Sequence, residues 1–194
     1  MRIGAFDIYV IIINIMGFIL YCINMLLYRF TRNGQVDTLL TITSFMGGSL
    51  GIIIAILLFD RENVKDNMMS RVFVICMFVI QLVLFIMIKG NFGKNFTLAI
   101  WEFFGKYKIL LIYLLIINIV TLIVFALDKM NAISKKWRYK IVTLLGLCFI
   151  GGSLGGLLAM YVFRHKTQQD YFTIGVPLII ITQIIVLIFL TNVF

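Results

Sequence analysis

This chain has one histidine, one proline and three cysteines. The lone histidine, His165, has no cluster of Cys, Asp or Glu near it, which argues against a metal site. There is no nucleophile motif, no phosphate-binding loop and no pair of carboxylates inside an apolar run. The expectation is therefore a protein that is not an enzyme and carries no cofactor. Cys22, Cys76 and Cys148 each lie within an apolar run, where cysteine behaves as a small buried hydrophobe. Charge is scarce as well. Asp, Glu, Lys and Arg make up 13% of the chain, against about a quarter in soluble domains. Eight acidic residues face 17 basic ones, for a net charge of +9. No basic stripe accompanies a recognition helix, so nucleic acid is not the expected partner.

What remains is apolar: 62% of the residues, with a mean hydropathy of +1.10. Six runs approach membrane-crossing length: Phe6 to Tyr28, Leu39 to Phe59, Val72 to Ile88, Ile109 to Leu127, Ile141 to Phe163 and Phe172 to Val193. A helix of 21 residues rises about 31 Å, roughly the hydrocarbon thickness of a bilayer. In lipid, runs this long and this uniformly apolar are helices and not barrel strands. The fold class is then an all-α integral membrane protein. Asp7 interrupts the first run and no small-residue cleavage site follows it. We read that run as a span, not a signal peptide. Pro177, the single proline, falls in the first turns of the last run, where it is tolerated or makes a kink.

The chain is duplicated. Gly47-Gly48-Ser49-Leu50-Gly51 returns letter for letter as Gly151-Gly152-Ser153-Leu154-Gly155. At the same offset Tyr9 matches Tyr113, Asn14 matches Asn118, Phe45 matches Phe149 and Ala55 matches Ala159. Residues 1–88 and 109–194 are two three-helix copies, and 89–108 is a link. The middle of the link, Phe96 to Phe104, reads as an amphipathic helix in the membrane interface or as an aromatic connector. Three spans per copy is an odd number, so the second copy is expected to enter from the opposite side, as an inverted repeat. Under that topology Lys and Arg divide nine against eight, almost without bias. Local density places the Lys129 to Lys140 loop in the cytoplasm. The expected surroundings are a bacterial cytoplasmic membrane with anionic headgroups, with a homo-oligomer or a partner membrane subunit as possible company.

Each run carries a polar residue near its middle. Asn14 and Asn118 correspond, as do Ser49 and Ser153. Gln81 and Gln183 correspond if the preceding loops differ by two residues. Neutral polar groups at the midplane need partners. They form either a candidate site for an ion or small solute, or hydrogen-bonded glue between helices. The glycine motif has two readings also. Gly47 with Gly51, and Gly151 with Gly155, lie four apart and admit a close helix–helix contact, which would join spans two and five. Alternatively Gly48 and Gly152 belong to a broken helix whose freed backbone binds a solute. Leu50 and Leu154 within the motif favour intact helix.

The polar ends of the two copies differ. The second copy has Asp128-Lys129, then Arg138, then His165-Lys166-Thr167, where the first has Asn24-Met25 and Asp60-Arg61-Glu62-Asn63. Together with Tyr113, Asn118, Ala132, Gly151-Gly152, Gly155, Met160 and Phe172, these residues resemble the small bacterial membrane family called domain of unknown function 1294. The resemblance covers about residues 110 to 190. It implies a membrane fold and no activity. The family's Pro-Glu after the Arg is replaced here by Lys140-Ile141 or its neighbours. Asp128 and Lys129 are expected on one side of the membrane and His165 and Lys166 on the other, about 30 Å away. All are then expected to be interface anchors, with Arg138 or Lys129 as the partner of Asp128. The leading functional expectation is a small channel or transporter. The alternative is a non-catalytic subunit of a larger membrane complex.

Overall fold

The computed structural model describes residues 4–31, 37–59, 68–90, 100–135 and 137–193. These residues are helical, and six stretches are long and apolar enough to cross a membrane. The chain divides into two compact units, Met1–Leu82 and Val83–Phe194.

The first unit begins with α1 (Ala5–Thr31), followed by the short α2 (Asp37–Thr43). A break at Ser44–Gly48 separates α2 from α3 (Ser49–Phe59), and α4 (Met68–Lys89) follows. The break is located at one residue. Gly47 has φ 117° and ψ 0°, a conformation that a side chain rarely permits. The run of contacts along α1 gives the direction of α3. Tyr9 reaches Met46, Asn14 reaches Gly51, and Phe18 stacks on Phe59. Both numbers rise together, so α1 and α3 are parallel. The chain between them must therefore travel back, and α2 is the returning limb.

In the second unit α5 (Ile100–Lys106) leads into α6 (Lys108–Ile133), α7 (Ile141–Leu147) and a break at Cys148–Gly152. After the break come α8 (Ser153–Val162), the single turn α9 (Asp170–Thr173) and α10 (Gly175–Val193). Gly151 repeats the conformation of Gly47, with φ 121° and ψ −5°. The direction is again readable along α6: Tyr113 bonds Ile150, Asn118 bonds Gly155, and Asp128 bonds His165. The other end of the segment returns to the same place, because Tyr139 N–H donates to Asp128 Oδ1 at 2.9 Å. An unbroken helix would hold residues 139 and 165 about 39 Å apart. Both touch one carboxylate, so α7 and α8 are the limbs of a helical hairpin with Gly151 at its tip.

This corrects one expectation, the straight second span of each copy, and removes the premise of another. The stretches 38–59 and 141–162 are not straight spans, despite their length. Each turns back at the first glycine of its motif, so the leucines at 50 and 154 do not keep the helix whole. The expected inversion rested on three crossings per copy, and a stretch that returns to the end it left does not supply the third.

The link also takes shape in part. Helix α5 covers the second half of the expected interfacial helix, and Phe103 in it is buried. Phe96 to Ala99 lie outside the described residues. Pro177 sits in the first turn of α10. Its ring nitrogen has no hydrogen to give Thr173, the residue at which α9 stops.

Candidate functional site

The hairpin tip is built the same way in both copies. A broken helix exposes backbone amides and carbonyls that nothing in hydrocarbon will satisfy. The six polar side chains expected at the midplane satisfy many of them. Asn118 Oδ1 accepts the N–H of Gly155 at 2.6 Å, in the first turn of α8. Its Nδ2 donates to the carbonyls of Leu114 at 2.7 Å and Gly151 at 2.9 Å. Asn14 accepts from Gly51 N–H at 2.9 Å and donates to Val10 at 2.8 Å.

Glutamine serves the other limb. Gln183 Nε2 donates to the carbonyls of Cys148 at 2.7 Å and Phe149 at 3.1 Å, and its Oε1 accepts from Ser153 Oγ. Gln81 does likewise with the Ser44 carbonyl and Ser49 Oγ. Tyr9 and Tyr113 complete the tip by donating to the carbonyls of Met46 and Ile150, at 2.6 and 2.7 Å. Each unit therefore contains its own Asn, Ser and Gln around its own break. The first copy keeps one loose end. Ser44 Oγ is buried and has no hydrogen-bond partner, where the second copy has Cys148, which needs none.

Glycine makes the tight approach possible. A Cβ at Gly51 would lie 1.9 Å from the Asn14 carbonyl oxygen, and one at Gly155 would lie 2.1 Å from that of Asn118. Gly48 is pressed against the Ile13 carbonyl, and Gly152 against Thr121. The helix admitted by these glycines is thus the first helix of the same copy. The expected partner was the second span of the other copy, and that assignment is corrected. A groove of about 380 Å³ runs beside this contact, lined by Leu111, Leu114, Leu158 and other apolar side chains, with Asn118 and Gly155 in its wall.

The mouth of the second hairpin holds the charged residues. Asp128 is fully buried. Its Oδ2 lies 3.0 Å from His165 Nε2 and 2.8 Å from Lys166 Nζ, while Oδ1 takes the Tyr139 N–H. Lys166 is 7% exposed and also lies over the Phe172 ring, 4.9 Å from its centre. Lys129 donates to the Phe163 carbonyl at the end of α8. The separation of about 30 Å expected across a straight span is therefore absent, because the hairpin carries His165 and Lys166 back to Asp128. Exposed anchors they are not, and the partners of Asp128 are neither Arg138 nor Lys129. Arg138 is exposed beside the cluster. The motif residues Asp128, His165 and Lys166 could have been joined from sequence only by placing a reversal at Gly151.

The fold is a duplicated helical unit in which a broken-helix hairpin lies between two long apolar helices. Comparison with known proteins adds a family to that class. The model of the family described as protein of unknown function DUF1294 matches residues 118–172. The Bacillus subtilis (strain 168) uncharacterized protein YsdA is 37% identical over 75 residues, which are 39% of this chain and 84% of that relative. The chain belongs to the DUF1294 family. The relative is shorter than half of this chain, about the size of one copy, and its match accounts for 39% of the chain. No solved structure matches.

Proposed function

We propose that this chain is an integral protein of a bacterial cytoplasmic membrane and that its two broken-helix hairpins serve the passage of an ion or a small polar solute. The observation that carries this reading is the pair of breaks at Gly47 and Gly151 within otherwise apolar helices. Irregular backbone at membrane depth is costly and is kept where it is buried in protein or lines a polar route. Exposed faces among the described residues are apolar too. Ile8, Ile12, Ile15 and Ile19 on α1, and Leu111, Leu115 and Ile119 on α6, are about half exposed, which suits lipid and not water.

In this placement each copy crosses the bilayer twice, with its hairpin entering and leaving on one side. The charge count then changes. Only Arg2, Lys89, Lys94, Lys106 and Lys108 fall on the side of the termini, and the other twelve of the 17 basic residues fall on the side of the hairpin mouths. The bias that was missing under the six-span reading is now strong, and it puts the mouths in the cytoplasm beside anionic headgroups. The chain carries out no covalent chemistry in this proposal.

The test is flux. Proteoliposomes holding this chain alone are expected to pass small ions or neutral solutes faster than empty ones, and Gly151→Leu should remove the difference. A second reading, a non-catalytic subunit of a larger membrane complex or of a homo-oligomer, is favoured by one observation. The six midplane side chains all have hydrogen bonds within their own copy. Absence of flux above the empty-liposome rate for every solute tried would leave that second reading in place of the first.

A further inference from the structure

The hairpin tip is common to both copies, the mouth residues differ in sequence, and the second mouth holds the one buried charged residue among the described residues. One carboxylate there ties the two ends of the hairpin. Oδ1 of Asp128 holds the backbone N–H of Tyr139, two residues before α7 begins, and Oδ2 holds His165 and Lys166, just after α8 ends. The same place concentrates backbone strain. Among the described residues the non-glycine positions with positive φ are Lys135 at 53°, Arg164 at 45° and Lys166 at 62°. One lies before the leading limb and two follow the trailing limb. Residues held in such conformations persist where their surroundings enforce them, and they gather at parts that move.

We propose that Asp128 is a latch on the second hairpin: it keeps leading and trailing ends together, and loss of its His165 and Lys166 bonds lets the trailing end swing away. Lys129 holds the Phe163 carbonyl just after α8, so the turn beyond Phe163 is the hinge. In the sequence of the first copy the corresponding positions are Asn24, Arg61 and Glu62. This inference rests on the proposed function, because it makes the latch the control of the same hairpin.

The test measures the mouth directly. Cys22, Cys76 and Cys148 are replaced by alanine, and spin labels are placed at Lys140→Cys and Gln168→Cys, both exposed and outside the cluster. Distances are measured in lipid nanodiscs by pulsed electron resonance. Asp128→Asn is expected to shift the distribution to longer separations than the parent shows, and Lys166→Met to shift it the same way by a smaller amount. Asp128→Glu should restore most of the parent distribution. If Asp128→Asn does not fold, Lys166→Met decides alone. An unchanged distribution in the folded variants overturns the latch. Flux through the same variants is a separate readout. A distance shift with no flux in any variant retains the latch and removes the proposed conduction, whereas flux with no shift does the reverse.

Discussion

Asn118 Oδ1 lies 2.6 Å from the amide nitrogen of Gly155, and that one bond ties the first helix of the second copy to the returning limb of its hairpin. The two residues need each other. The bond is short because Gly155 has no side chain to hold the helices apart, and the Gly155 N–H is free to be bonded because the helix has just restarted after its break. Asn14 and Gly51 repeat the arrangement.

Asn118→Leu removes an acceptor from Gly155 and a donor from Gly151 at once. Buried groups left without partners cost about 1–3 kcal/mol each, though bonds between membrane helices average nearer 0.6 kcal/mol. The expected loss is about 1–3 kcal/mol. Thermal unfolding in detergent should show a lower midpoint for Asn118→Leu than for Leu122→Ala on the same helix. Equal midpoints would mean that Asn118 does not hold the hairpin.

Gly155→Ala tests the contact from the other side. Its new methyl would sit 2.1 Å from a backbone oxygen, which no rotamer can relieve, so α6 and α8 must separate. Gly146→Ala is the control. Nothing lies within 4 Å of a Cβ there, and alanine in place of helical glycine should add about 0.5–1 kcal/mol. Opposite signs are expected in the two unfolding curves. A Gly155→Ala variant as stable as the parent would contradict the close approach.

Much of the site was legible before any coordinates, and for one reason: duplication aligned residues that must do the same work. Tyr9 with Tyr113, Asn14 with Asn118, and Ser49 with Ser153 were paired by offset alone, and each pair makes corresponding bonds. What the offset did not reveal was direction. In lipid, a run such as Ile141 to Val162 has the length and apolarity of a crossing helix whether it crosses or folds back. The reversal depends on a single φ at Gly151, in a motif that also serves ordinary helix packing. Missing it separated Asp128 from His165 by a full membrane and hid the buried cluster. The near-even charge count of the six-span reading becomes a bias under the topology proposed above, as a polytopic protein ordinarily shows.

The two break glycines should differ in their tolerance. Gly47 and Gly151 both hold φ near 120°, so alanine at either is strained by about 1–3 kcal/mol. At Gly151 the added methyl would also press on Leu114 at 3.0 Å and Ile117 at 3.3 Å, while at Gly47 it meets Ile13 at an ordinary 3.4 Å. Gly151→Ala is therefore expected to lower the unfolding midpoint more than Gly47→Ala. The reverse order, measured in the same detergent, would show that strain and packing at the tips are not what separates the copies.

Ser134 and Gln168 decide the path of the chain through the bilayer. Both are exposed, one before α7 and the other after α8. If residues 141–162 crossed the membrane as one helix, they would face opposite sides. If the hairpin returns, they face the same side, and the excess of basic residues around them makes that side the cytoplasm. Single cysteines at Ser134 and Gln168, in a background without the native three, should react with a membrane-impermeant maleimide in inverted vesicles and stay protected in intact cells. Gly105→Cys, on the link, should behave in the opposite way, because a copy with two crossings returns the chain to the side where it started. Labelling of Ser134→Cys and Gln168→Cys from opposite sides would refute the hairpin, and with it the meeting of Asp128 and His165.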